Sequence, residues 1–312
     1  MYYLDFEENI REVDEKLAEP DLSDGEKKRL ESKLKRLVEN TYKRLTPWQK
    51  TLLARHENRP HTSDYIRSLI KDFVPLCGDR VFGEDSAIIG GLGKLNGQTV
   101  MVIGTEKGQD TTTRLKHNFG MARPEGYRKA VRLMKLAEQF CFPVLTFVDT
   151  AGAFPGVDAE ARGQGQAIAA AIEACLDLRV PIIATIIGEG GSGGALALAV
   201  GNKILMLENA IYSVISPEGC ASILWKDFKF AKQASRALKL TAKDLLNLGI
   251  IDEIIPEPMG AAHRYPKETI NAVGKVIAEA LASLKNLDED DLVLNRQEKF
   301  LAMGRPKEKK KK

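Results

Sequence analysis

Three runs in the middle of the chain are apolar at nearly every position: TVMVIGTE (Thr99 to Glu106), PVLTFVDT (Pro143 to Thr150) and VPIIATIIGE (Val180 to Glu189). Their β-branched, almost unbroken character predicts strands covered on both faces, as in a parallel sheet flanked by helices. PEGYRKAVRLMKLAEQF, ahead of the second run, predicts a helix with Pro124 near its first turn. GQGQAIAAAIEACLDL, between the second and third, predicts an alanine-rich helix. Further on, NKILMLE and AIYSVIS read as strands. SPEGCASILW reads as a helix capped by Ser216, with Pro217 at its first position and Glu218 in the positive first turn. TAKDLLNLG predicts a helix ending on Gly249, followed by IIDEIIPE and two C-terminal helices. This alternation predicts an α/β protein with largely parallel strands. Upstream, from Leu4 to about Glu57, the chain is charge-rich, and Leu30, Leu34, Leu37 and Val38 form a helical stripe that needs a surface to pack on.

Composition narrows the class. The chain has 312 residues, 44% hydrophobic and 29% charged, which suits a globular protein with a sizeable core. The net charge is only +3, part of it in the tail KEKKKK (Lys307 to Lys312), so no nucleic-acid-binding face is implied. The tail reads as disordered solvating sequence. Cys77, Cys141, Cys175 and Cys220 are far apart and form no C-x-x-C pair for zinc, which predicts reduced, mostly core cysteines. The opening MYYLDFEENIREVDEKL lacks the basic and apolar regions of a signal peptide, and no apolar run reaches membrane-spanning length. The expected location is the cytoplasm.

The stretch GEGGSGGALA, Gly188 to Ala197, carries five glycines in seven residues directly behind the third strand. It fits three templates. Gly188, Gly190 and Gly193, with Glu208 downstream, satisfy the dinucleotide fingerprint, but the helix before Gly201 is too short for a crossover. Gly190, Ser192 and Gly194 satisfy the nucleophile-elbow pattern, and Asp252 and His263 follow in hydrolase order; the polar segment around His263 otherwise reads as an exposed loop. The third template uses main chain only: a short helix starting at Ser192 or Gly193 presents free N–H groups that can bind an oxyanion. The purely structural alternative is that Gly193 and Gly194 only allow strand and helix to pack closely. DTAGAFPG (Asp149 to Gly156) ends the neighbouring strand in a similar turn, and the carboxyl edge of such a sheet is where ligands bind. Neither turn carries a Walker lysine. Nearby, GQDTTTRLKHNFGMARPEGYRK gathers Arg114, Lys116, His117, Arg123, Arg128 and Lys129, which reads either as a mobile basic loop for phosphates or carboxylates or as a solvated surface.

The blocks LARHENRPHTSDYI, GDRVFGED, NFGMARPEGYRKAVRLM, DTAGAFPG, IGEGGSGGALALAVGNK and YSVISPEGCASILWKD resemble the carboxyltransferase α subunits of bacterial acetyl-CoA carboxylase, in the crotonase-like superfamily. The resemblance implies a crotonase/ClpP-like ββα superhelix over residues 61–303, with an N-terminal helical extension (1–60), C-terminal helices and a basic tail (304–312). It implies a zinc-bearing β partner in an α2β2 assembly and no metal in this chain. The implied reaction moves the carboxyl group of N-carboxybiotin, carried by the biotin carboxyl carrier protein, onto acetyl-CoA to give malonyl-CoA for fatty acid synthesis. Loss of CO2 leaves a biotin enolate that itself removes the acetyl proton, so no side-chain base is needed. By resemblance Gly193 and Gly194 form the hole for the biotin oxygen, with Gly152 and Ala153 in the second turn. On charge patterning, Arg114, Lys116, Arg123 and Arg128 are the candidate substrate-binding residues of the basic segment, and Glu218 is either pocket-facing or a helix cap. The chain departs from the usual family pattern at Ala151, Gln166, Thr105 and Glu106.

Overall fold

The structure is a computed structural model and describes residues 2–305; the lysine run Lys307 to Lys312 lies outside them. Its frame is one eight-stranded sheet. β1 (Lys71–Pro75), β2 (Ile88–Leu95) and β3 (Gln98–Thr105) run antiparallel at one edge. β4 (Val144–Thr150), β5 (Ile182–Gly191), β6 (Lys203–Leu207) and β8 (Glu253–Ile255) extend it in parallel from β3. The short β7 (Ile211–Ser213) leaves this path and pairs with the last three residues of β5, while Ile183–Ile186 of the same strand pair with β6. The sheet therefore forks at the carboxyl end of β5.

The three predicted runs match β3, β4 and β5 to within two residues at each end, and every residue of β4 is buried, as expected of strands covered on both faces. The antiparallel edge was not anticipated. Its signal was present: Asn96 and Gly97, both at positive φ, are the Asn-Gly pair of a two-residue hairpin turn joining β2 to β3. β2 itself, IIGGLGKL, has too many glycines to read as a strand by propensity.

Four N-terminal helices precede the sheet: α1 (Glu8–Leu17), α2 (Asp24–Tyr42), α3 (Pro47–Ala54) and α4 (Thr62–Leu69). The α2 stripe faces inward, with Val38 buried and the three leucines half-buried. α5 (Thr111–Lys116) follows β3, α6 (Pro124–Gln139) leads into β4, and α7 (Val157–Ala161) and α8 (Gln164–Asp177) connect β4 to β5. α9 (Ser192–Ala199) follows β5; α10 (Pro217–Trp225), α11 (Ala231–Ala237) and α12 (Ala242–Leu248) follow β7. α13 (Ala261–Arg264), α14 (Pro266–Leu284) and α15 (Glu289–Ala302) complete the described chain. Ser216 caps α10 by accepting from Gly219 N at 3.0 Å, and Gly249 closes α12 at φ 73°, both as the sequence indicates. Cys175 and Cys220 are buried, whereas Cys77 and Cys141 are exposed, so only half of the cysteines are core residues. Among the described residues no helix is long and apolar enough to cross a membrane.

Candidate active site

Two turns meet at the carboxyl ends of β4 and β5, and glycine allows the approach. A Cβ on Gly191 would run into the Ala151 carbonyl oxygen. One on Gly194 would lie 2.6 Å from Ala153 N and 2.8 Å from the Tyr127 hydroxyl, and one on Gly188 would press on the Asp149 carboxylate at 2.5 Å. These three positions need glycine for packing alone. Gly193 does not: its nearest neighbour would be Ile168 Cγ2 at 3.5 Å, an ordinary contact. Gly152, at φ 149°, turns the chain beyond β4 toward Ser192.

α9 begins without a cap. Its N-cap residue, Gly191, brings no side-chain acceptor, so the amides of Ser192, Gly193 and Gly194 lack partners inside the helix and the positive end of the helix dipole is unmasked. Facing them, Ala153 N–H has no acceptor among the described residues. The Gly152 N–H is already donated to Thr150 Oγ1 at 3.1 Å. Ser192 occupies φ 54° and its side chain is exposed.

Beneath both turns lies a charged network that the sequence reading missed. The Asp149 carboxylate accepts from Glu189 N (2.9 Å), pairs with Lys107 Nζ (2.7 Å) and touches His61 Nδ1 (3.3 Å). Arg55 bridges Glu189 (2.7 Å) and Glu218 (2.6 Å). Burial alone would raise the Asp149 carboxyl, but the Lys107 ammonium and His61 outweigh it and hold it well below the usual carboxylate range. The same balance holds Lys107 above the ordinary lysine value: burial opposes its charge, and Asp149 and Glu189 restore it. Glu218 is thus the far end of a bridge from α3 as well as a first-turn acid. The available signal was a carboxylate interrupting the carboxyl end of each of two adjacent apolar strands, Asp149 in VDT and Glu189 in IGEGG.

The basic segment divides. The Arg123 guanidinium stacks on the Phe154 ring at 4.8 Å, which places it against the turn after β4. Arg114 lies 3.6 Å from Glu57, and Lys116 is exposed. Arg128 is committed elsewhere, to Asp79 (2.7 Å), Glu125 (3.0 Å) and the Arg162 carbonyl (3.0 Å), and the buried Lys129 pairs with Glu84 and donates to Asp85 O at 2.8 Å.

The hydrolase alternative fails on placement. His263 is buried, not in an exposed loop: its ring stacks on His56 at 4.1 Å and its Nε2 lies 3.4 Å from Glu7, deep against the N-terminal segment. Asp252 accepts from Ile204 N (2.7 Å) and Lys299 (2.5 Å). Neither is hydrogen-bonded to the other or to Ser192, so no triad exists. The dinucleotide reading fails as well, because α9 has only eight residues.

Glu7, His56 and His263 are the one group of three among the described residues with metal-ligand proximity. His56 has no ring nitrogen to spare, whereas both ring nitrogens of His263 are buried without a hydrogen-bond partner. His56 Nδ1 accepts from Asn58 N and its Nε2 faces Tyr2 O, both at 3.1 Å, while Glu7 accepts from Leu4 N and Tyr42.

The forked sheet is a fold shared with solved crotonase-like carboxyltransferases. The fold matches transcarboxylase 12S with a TM-score of 0.59 and 17% identity, over 73% of this chain and 42% of that one, so this chain spans less than half of that structure's length. Residues 3–304 match the family described as acetyl co-enzyme A carboxylase carboxyltransferase-like, and the chain belongs to that family. Its relatives include the acetyl-coenzyme A carboxylase carboxyl transferase subunit alpha of Paramagnetospirillum magneticum, 59% identical over 98% of this chain and 99% of the relative. The protein of the same name from Zymomonas mobilis is 58% identical over 97% and 99%.

Proposed function

We propose that this chain is the α half of an acetyl-CoA carboxylase carboxyltransferase and that it binds, through main-chain amides, the oxygen of carboxybiotin on which negative charge develops. The observation that carries this reading is the uncapped start of α9 facing the unpartnered Ala153 amide. Gly193, Gly194 and Ala153 supply the donors, and Gly152 supplies the backbone turn that presents them. An amide cannot titrate, and one well-placed donor of this kind contributes about 3 kcal/mol to a developing oxyanion.

The residues present fit the urea oxygen of biotin: a carbonyl accepts from N–H groups, and the same donors and the helix dipole would hold negative charge on that oxygen more tightly. When bound, carboxybiotin would supply both the carboxyl group and the base for the acetyl proton, with the amides of Gly193, Gly194 and Ala153 holding its urea oxygen. No side chain here needs to move a proton. Arg123, whose guanidinium lies over Phe154 in the turn after β4, would meet an incoming carboxylate or phosphate, and Arg114 and Lys116 would serve the same anions; Arg128 acts structurally.

The thioester oxygen requires a second hole, which we assign to a β subunit of related fold that also carries the zinc, in an α2β2 assembly served by the biotin carboxyl carrier protein. Val214, Ile223, Leu224 and Phe228 are exposed apolar residues on and around α10, next to the fork of the sheet, and suit such a partner. The cytoplasm, where acetyl-CoA is carboxylated for fatty acid synthesis, is the matching location. We take residues 1–60 as an extension of a carboxyltransferase domain spanning 61–303.

Reconstitution tests the assignment. The chain alone is expected to make no malonyl-CoA from acetyl-CoA and the carboxybiotin carrier. Addition of a purified β subunit is expected to restore turnover. Activity of the isolated chain, or none from the co-purified complex, overturns it.

A further inference from the structure

Tyr127, in the first turn of α6, has a hydroxyl that is fully buried and makes no hydrogen bond. Phenylalanine would fill the same volume without the cost of leaving a buried polar group unpaired, so the oxygen has no evident structural use. Its position is specific: a Cβ on Gly194 would lie 2.8 Å from this hydroxyl and 2.6 Å from Ala153 N. The O–H is therefore enclosed by the two turns whose amides line the proposed hole, and two donors without acceptors flank the same glycine.

We infer that Tyr127 is a third, side-chain donor to the oxyanion site, held without an acceptor in the free chain and engaged when charge forms on the bound oxygen. The inference rests on the reading of the site given above and deepens it. Burial pushes the Tyr127 phenol up from its ordinary value, with Asp85 adding to the effect, so it remains protonated wherever the enzyme works. A hydroxyl also differs from a main-chain amide in being removable by mutation with almost no change of shape.

Tyr65 provides the control. Its hydroxyl is likewise buried and unpartnered, but its ring stacks on Phe147, in the middle of β4, at 5.3 Å.

The test compares Tyr127→Phe, Tyr65→Phe and Gly194→Ala in the reconstituted α–β complex, measuring kcat, acetyl-CoA KM and the melting temperature of each. Tyr127→Phe is expected to lower kcat by about 10- to 100-fold, at or below the effect of losing one oxyanion donor. Acetyl-CoA KM should be unchanged and the melting temperature equal or higher, while Tyr65→Phe keeps the wild-type kcat. Three results overturn the role: a Tyr127→Phe enzyme within twofold of wild type, a change confined to KM, or a kcat loss that follows a fall in melting temperature. If Gly194→Ala is also fully active, the site reading itself fails; if Gly194→Ala is inactive while Tyr127→Phe is normal, only Tyr127 is excluded.

Discussion

At the scale of single residues, glycine serves two separable purposes in GEGGSGGALA. Gly188, Gly191 and Gly194 are glycine because a neighbouring carboxylate or backbone occupies the place of a Cβ, and Gly193 is not constrained in this way. The difference gives a clean comparison. Gly194→Ala must push the Ala153 turn and the Tyr127 hydroxyl aside, and overpacking of that kind costs about 1–3 kcal/mol. Gly193→Ala adds a methyl in ordinary contact with Ile168 and is expected to melt at the wild-type temperature. If Gly193 N–H serves the hole, however, the added methyl crowds the approaching oxygen and carboxyl transfer falls while stability holds. Calorimetry and turnover on the two variants check this, and a Gly193→Ala protein that is fully active removes Gly193 from the site. Ala153 shows why residue type alone could not decide such questions: its amide is free and that of Gly152 is taken by Thr150, a fact of hydrogen bonding that no side chain records.

Between elements, the ends of β4 and β5 are tied by charge. Asp149 closes β4, Glu189 precedes the β5 turn, and Lys107 and Arg55 enter from the segment after β3 and the end of α3. Removing one partner of a buried pair leaves the other uncompensated, so Asp149→Ala is expected to cost about 3–5 kcal/mol in urea unfolding. Lys107→Met combined with Asp149→Leu is expected to cost clearly less than the sum of the single changes; simple additivity would mean that the pair is not coupled. This network also marks the limit of what the chain's pattern disclosed. β3, β4, β5 and α9 were legible because strand-length apolar runs, caps and glycine turns are local signals. The pairing of Lys107 with Asp149, the burial of His263 against Glu7 and the diversion of Arg128 to Asp79 join residues far apart in sequence, and periodicity carries no information about them. The family resemblance supplied the expectation of a main-chain site, but it could not separate basic residues free to meet a ligand from those consumed in packing.

Over the whole molecule, the N-terminal segment is fastened to the sheet body by buried polar groups as well as apolar contact. Arg59 pairs with Glu257 at 2.8 Å with both side chains essentially inaccessible, and Glu7, Tyr42, His56 and His263 form a second knot. That knot is acid-sensitive. Burial and the adjacent His263 lower His56 from 6.5 to about 4, with Arg59 adding a small push in the same direction and Glu7 opposing it. The unfolded chain therefore binds a proton between pH 6.5 and 4 that the folded chain refuses, so stability falls as pH is lowered through that window, by about 3 kcal/mol for a shift of this size. Glu7 acts lower on the scale. Burial alone would raise its carboxyl, but His263, Tyr42 and Leu4 N bring it down to about 2, so its stabilising contribution is complete above pH 4.5 and disappears toward pH 2. His56→Asn keeps an acceptor near Asn58 N but cannot titrate. Urea midpoints measured from pH 7 to pH 4 should drop steeply for the wild-type chain and more gently, by the equivalent of one proton, for the variant. Parallel curves would show that His56 is not the group the fold keeps neutral.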